Sequence, residues 1–154
     1  MLGVRLICIG KLKERYWRDA VAEYEKRLRP LCRWELVELP EARLPQDPSP
    51  AEIRAALEKE AAAILERTQG AVYPLCIEGK QLDSPDLARR LQKAMDHPGA
   101  VTFVIGSSFG LADAVKQAGE GISMSPMTSP TSWPGHALRA ALPGLPNFAE
   151  LQIP

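Results

Sequence analysis

Val101-Thr102-Phe103-Val104-Ile105-Gly106-Ser107-Ser108-Phe109-Gly110 reads as a strand that runs into a loop bounded by two glycines. Val101 to Ile105 is the most hydrophobic strand in the chain. It lacks the in–out alternation of a half-exposed strand, so it belongs inside a sheet covered on both faces. In open sheets of that kind, ligands collect beyond the carboxyl ends of the strands. Gly106 and Gly110 would let a ligand meet bare backbone there. The same spacing also suits an ordinary strand-to-helix turn, and spacing alone leaves both readings open. The order of glycines is not GxGxxG, which speaks against a dinucleotide fold.

Outward from this stretch, strands and helices alternate. Val4 to Ile9 is a buried strand ended by Gly10. Trp17, Val21, Tyr24 and Leu28 recur at helical spacing, and Pro30 closes that helix. Trp34 to Leu39 is a second strand, ended by Pro40. After a proline-containing loop over 43–50, Ser49-Pro50-Ala51-Glu52 has the form of a capping box, and Ile53, Leu57, Ala61 and Ile64 mark the helix's apolar face. Val72 to Ile77 is a third strand, with Glu78-Gly79-Lys80 expected to turn out of it. Ser84-Pro85 opens a helix carrying Leu87, Leu91 and Met95. Beyond the fourth strand a short helix is expected at about 112–118, then a short strand over 122–124. Alternation on this scale predicts an α/β domain with a mostly parallel sheet and helices on both faces. The 154 residues fit a single domain.

Composition excludes several classes. Nineteen basic residues balance nineteen acidic ones, so the chain has no general basic coat for nucleic acid; a local patch would still serve. Cys8, Cys32 and Cys76 form no CxxC pair and suit neither a metal site nor a disulfide framework, which fits a reducing, cytoplasmic setting. Cys8 and Cys76 sit in apolar runs and read as core residues. No apolar run approaches the ~20 residues that span a bilayer, and the start lacks a signal peptide's pattern. His97, in an Asp-His-Pro turn, reads as a solvated loop residue. GxSxG, HExxH and P-loop patterns are absent, and no residue stands out as a catalytic base.

Four segments carry a more specific signal. They are Gly10-Lys11-Leu12-Lys13-Glu14 with Tyr24 following, Ile77-Glu78-Gly79-Lys80, Val101 to Gly106 with Gly110-Leu111, and Ile122-Ser123-Met124-Ser125 with Met127-Thr128. In this order and spacing, over roughly residues 1–128, the chain resembles the RlmH family, the SPOUT-class 23S rRNA pseudouridine N3-methyltransferases. The resemblance implies an α/β trefoil knot, a homodimer and S-adenosylmethionine as methyl donor, with no metal. It implies a donor site built by Leu75, Gly106, Met124, Ser125, Pro126, Met127 and Thr128. The expected substrate is 23S rRNA in the assembled ribosome, which would supply much of the docking surface for a neutral protein. From another class, a non-catalytic dimeric α/β module that binds a nucleotide or RNA is the competing reading. Where the family has paired glycines, this chain has Gly106-Ser107, which requires that Ser107 avoid a glycine-only backbone angle.

Residues 129–154 depart from the family. There the resemblance implies a long helix that covers the donor and packs against a partner subunit. Pro130, Pro134, Pro143, Pro146 and Pro154 are incompatible with such a helix. With free synonymous codon choice, Ser129 to His136 reads out of frame as Phe-Pro-His-Gln-Leu-Ala-Arg-Ala. From His136 the other shifted frame reads Met-Leu-Cys-Glu-Gln-Leu-Tyr-Arg-Ala-Phe. Both are motifs the family carries at this point. Two single-base losses in the gene or its sequencing account for the tail; a divergent tail is the alternative.

Overall fold

The computed structural model describes residues 1–11 and 15–123, apart from the Trp17 side chain. The elements are β1 (Gly3–Ile9), α1 (Arg15–Leu28), β2 (Arg33–Leu39), α2 (Pro50–Arg67), β3 (Ala71–Gln81), α3 (Ser84–Asp96), β4 (Ala100–Ile105), α4 (Asp113–Lys116) and β5 (Ile122–Ser123). The strands form one sheet in the order β2-β1-β4-β3-β5, and every pairing is parallel. This is the α/β architecture expected, with the apolar β4 between β1 and β3. The trefoil knot would involve chain beyond Ser123 and lies outside the described residues.

Alternate residues of the central strands face two separate cores. Val4, Leu6, Val101, Phe103, Ile105 and Tyr73 pack with Leu28 of α1 and Leu87 and Leu91 of α3. Ile7, Ile9 and Val104 pack on the other face with Ala61 and Ile64 of α2 and Val115 of α4. Helices on both faces explain why Val101 to Ile105 has no polar side to show. Thr102, fully buried in β4, resolves its hydroxyl by donating to the Gln69 carbonyl and accepting from the Gln69 N–H.

The capping box of α2 forms in both directions. The Glu52 N–H donates to Ser49 Oγ, and the Ser49 N–H donates to the Glu52 carboxylate, each at 3.2 Å. The buried stripe of α2 is Ala56, Glu60, Ala61 and Ile64, whereas Ile53 and Leu57 are only half-buried. The shift has a cause in Glu60, whose carboxylate accepts from the Ala42 N–H at 2.9 Å and so ties the 40–49 loop onto the helix.

Two expectations need correction. Glu78-Gly79-Lys80 is not a turn: β3 continues through it to Gln81, with an irregularity opposite Ile122. A Cβ on Gly79 would lie 2.6 Å from the Gly121 carbonyl carbon, so this glycine marks two backbones in close approach. Helix α4 spans four residues, shorter than the stretch 112–118. Its early end lets the chain return to β3, where the Glu120 N–H donates to the Val72 carbonyl at 3.2 Å.

Candidate active site

Pairing of β3 with β4 runs from Ala71↔Val101 to Pro74↔Val104, so Leu75 follows the last residue of β3 paired to β4, and Gly106 follows Ile105, the last residue of β4. On its other edge Leu75 pairs with Ile122. Two of the expected donor-site residues, Leu75 and Gly106, therefore both lie just past the end of the β3–β4 pairing. The other five, Met124, Ser125, Pro126, Met127 and Thr128, lie outside the described residues. Their predecessors Ile122 and Ser123 are buried beside β3, so that segment sets out from the same place.

After β4 the chain folds back on itself. The Gly110 N–H donates to the Ser107 carbonyl at 2.9 Å, and the two residues form an isolated antiparallel bridge. Gly110 sits at φ +87°, in the region where a side chain would be strained. No non-glycine residue among those described has a positive φ, so Ser107 meets the condition its sequence set. Its side chain is buried at 4% exposure. Gly106 is needed for a reason the sequence did not disclose. A Cβ there would lie 2.7 Å from the Gly110 carbonyl carbon and 2.8 Å from Leu111 Cδ2, so the loop's own return occupies the space.

Charged groups frame this edge on the β3 side. Lys116 Nζ meets Glu78 Oε1 at 2.5 Å. The Lys116 hydrogen bond holds the Glu78 carboxyl below its ordinary range, and Glu78 in turn raises Lys116. Arg90 of α3 pairs with Glu120, and burial raises the Tyr73 phenol beside them, an effect the Arg90 guanidinium opposes. Tyr73 stacks on Phe103 with centroids 5.7 Å apart. The pair Arg90–Glu120 thus fastens the connection into β5 to α3, and no helical or strand pattern pointed to it.

Thiol chemistry has little place here. Burial, followed by the charge of Glu38, pushes the Cys8 thiol up to about 12, and burial pushes Cys32 to about 11. Cys76 is raised as well, chiefly by burial and then by Glu78. Exposed His97 ends α3 just before β4 begins, at the opposite edge of the sheet from Gly106. Among the described residues no group of His, Cys, Asp and Glu is placed to hold a metal ion, and no helix is long and apolar enough to cross a membrane.

A family model described as "Predicted SPOUT methyltransferase" matches residues 2–133. The chain belongs to the SPOUT methyltransferase family. The SPOUT match takes in every element from β1 to β5 and ends within the stretch where the sequence departs from the RlmH pattern. Among curated relatives, the chain is 36% identical over 133 residues to "Ribosomal RNA large subunit methyltransferase H" of Lactobacillus delbrueckii subsp. bulgaricus. It is 38% identical over 133 residues to the proteins of the same name from Ligilactobacillus salivarius and Limosilactobacillus reuteri. Each comparison covers 84% of this chain and 84% of the relative. Membership in a SPOUT enzyme family weighs against the reading as a binding module without turnover.

Proposed function

We propose that this protein methylates N3 of a pseudouridine in 23S rRNA of the assembled ribosome, with S-adenosylmethionine as donor, and that it acts as a cytoplasmic homodimer. The relatives' name supports the class of substrate. The observation that supports the reading is that Gly106 and Leu75 each follow the last residues paired between β4 and β3, and that Leu75 also pairs with Ile122. The residues fit the donor's chemistry. Leu75 is a half-buried apolar surface suited to an adenine, and Gly106 and Ser107 offer buried backbone and a hydroxyl for its polar parts. Met124 to Thr128 would complete the enclosure.

The donor supplies an electrophilic methyl on a sulfonium; the nitrogen that accepts it gives up its proton to a base or solvent, and a neutral thioether departs. The chain's own part is positioning. Gly106 and Ser107, held by the hydrogen bond from the Gly110 N–H and by buried Leu111, form one wall. The ion pair of Arg90 with Glu120 fixes the segment that leads to the other. Such fixed geometry lowers the barrier by avoiding reorganisation during reaction. The deciding experiment supplies tritiated-methyl S-adenosylmethionine to ribosomes from cells that lack this modification. Label in one 23S pseudouridine at N3 is expected; label absent from rRNA, or found on another base, would reject the reading.

A further inference from the structure

Phe109 is 45% exposed on the loop whose first residue, Gly106, is assigned to the donor site. The loop is a tight turn, with Ser108 and Phe109 between the hydrogen-bonded Ser107 and Gly110. Side chains at these two middle positions project from a turn, and both are exposed here. The turn has little freedom, because Ile105 is buried before it, Leu111 is buried after it, and the Gly110 carbonyl closes over Gly106. Isolated exposed apolar side chains are common. Here, however, three of the five large exposed ones among the described residues follow, in sequence, the paired runs of the central strands β1, β3 and β4. Tyr16 opens the helix after β1, Ile77 lies beyond the β4-paired part of β3, and Phe109 follows β4.

We propose that Phe109 is the stacking platform for the base that receives the methyl group. The proposal rests on the reading of the site as a methyl-donor pocket for rRNA. Three residues of chain span at most ~10 Å, so Phe109 stands within that distance of Gly106. A base that accepts a methyl group held at Gly106 must enter the same small region. An unstacked base brings a flat apolar face, and an aromatic ring on a rigid turn meets it without losing much conformational freedom. Phe109 therefore acts on substrate affinity and leaves donor affinity alone.

The test compares the full-length protein with Phe109→Ala and Phe109→Trp, using undermethylated 70S ribosomes and S-adenosylmethionine. Stacking of one base predicts that Phe109→Ala raises the ribosome KM by roughly 5- to 100-fold. Donor affinity by calorimetry, thermal midpoint and sedimentation should stay unchanged, and Phe109→Trp should restore the ribosome KM. An unchanged ribosome KM in Phe109→Ala, with wild-type protein active, overturns the proposal and leaves the methyltransferase reading standing. A shift to slower or faster sedimentation in Phe109→Ala overturns it too, because it would make Phe109 a contact between copies of this chain. A wild-type protein, purified from its own cells, that labels no rRNA overturns the underlying reading and the proposal with it.

Discussion

Gly106 shows how a single residue carries two demands at once. Its sequence position suggests close approach by a ligand, and its surroundings show close approach by Gly110 and Leu111. Even an added methyl must push the return of the loop aside. Gly106→Ala is therefore expected to weaken S-adenosylmethionine binding by displacing the turn, with a loss of about 1–3 kcal/mol in stability from overpacking. Calorimetry and thermal denaturation on the same variant would check both; unchanged values for both would mean that the loop opens freely. Titratable residues set the pH limits. The folded state holds the Cys8 and Cys32 thiols above their ordinary 9.0, at about 12 and about 11. The unfolded chain releases those protons first, so stability is full below pH 9 and falls as pH rises from 9 towards 12. Lys116, also raised, adds to the alkaline loss. Glu78, lowered, acts in the opposite direction, and its contribution disappears as pH falls through and below the ordinary carboxylate range. Because Glu78 is largely exposed, this pair is worth less than about 1 kcal/mol. Urea unfolding across the pH range should show the steeper decline on the alkaline side, and Cys8 should resist alkylation at pH 7 until the protein unfolds.

At the scale of elements, the cap of α2 offers a clean measurement. Ser49→Ala removes the oxygen that accepts from the Glu52 N–H and should cost about 1 kcal/mol. Ser49→Asp should keep most of that stability, since its carboxylate can accept the same bond and suits the helix's positive end. An equal loss in both variants would show that the box is not what starts this helix. The capping box was legible in the sequence because all its partners lie within four residues. The central strands were legible for a related reason, since burial on both faces leaves an unmistakable apolar run at Val101 to Ile105. Contacts between distant segments left fainter marks. Gly79 looked like a turn residue because a glycine's sequence does not say whether it bends the chain or admits another backbone. Glu60 left no mark in the sequence because its partner, the Ala42 N–H, belongs to a loop with no pattern of its own. Leu75 was found through resemblance alone and Gly106 through its loop as well, and the pairing of β3 with β4 stops just short of both.

At the scale of the whole molecule, the out-of-frame reading of residues 129–154 has a direct check. Peptide mass spectrometry of the protein purified from its own cells should give fragments containing Phe-Pro-His-Gln-Leu, and resequencing should find the two missing bases. Peptides that match Ser129 to Pro154 as written would show that the protein carries this tail. In that case the chain, deprived of the helix the family implies there, is expected to be monomeric and to methylate nothing, which sedimentation and the tritium assay would report. The arrangement of the sheet has a further consequence, in the order of events during synthesis. Strand β3 finds one neighbour, β4, soon after it is made, but its outer edge pairs with Ile122 and Ser123, which emerge about forty residues later. Until then a growing chain presents an open row of unpaired amide and carbonyl groups, the kind of edge on which nascent chains stick to one another. A ribosome stalled between β4 and β5 would thus expose this protein at its most aggregation-prone, and the segment that seals the edge is the same one that leads into the proposed donor pocket, so protection and the proposed pocket would arrive in a single late step.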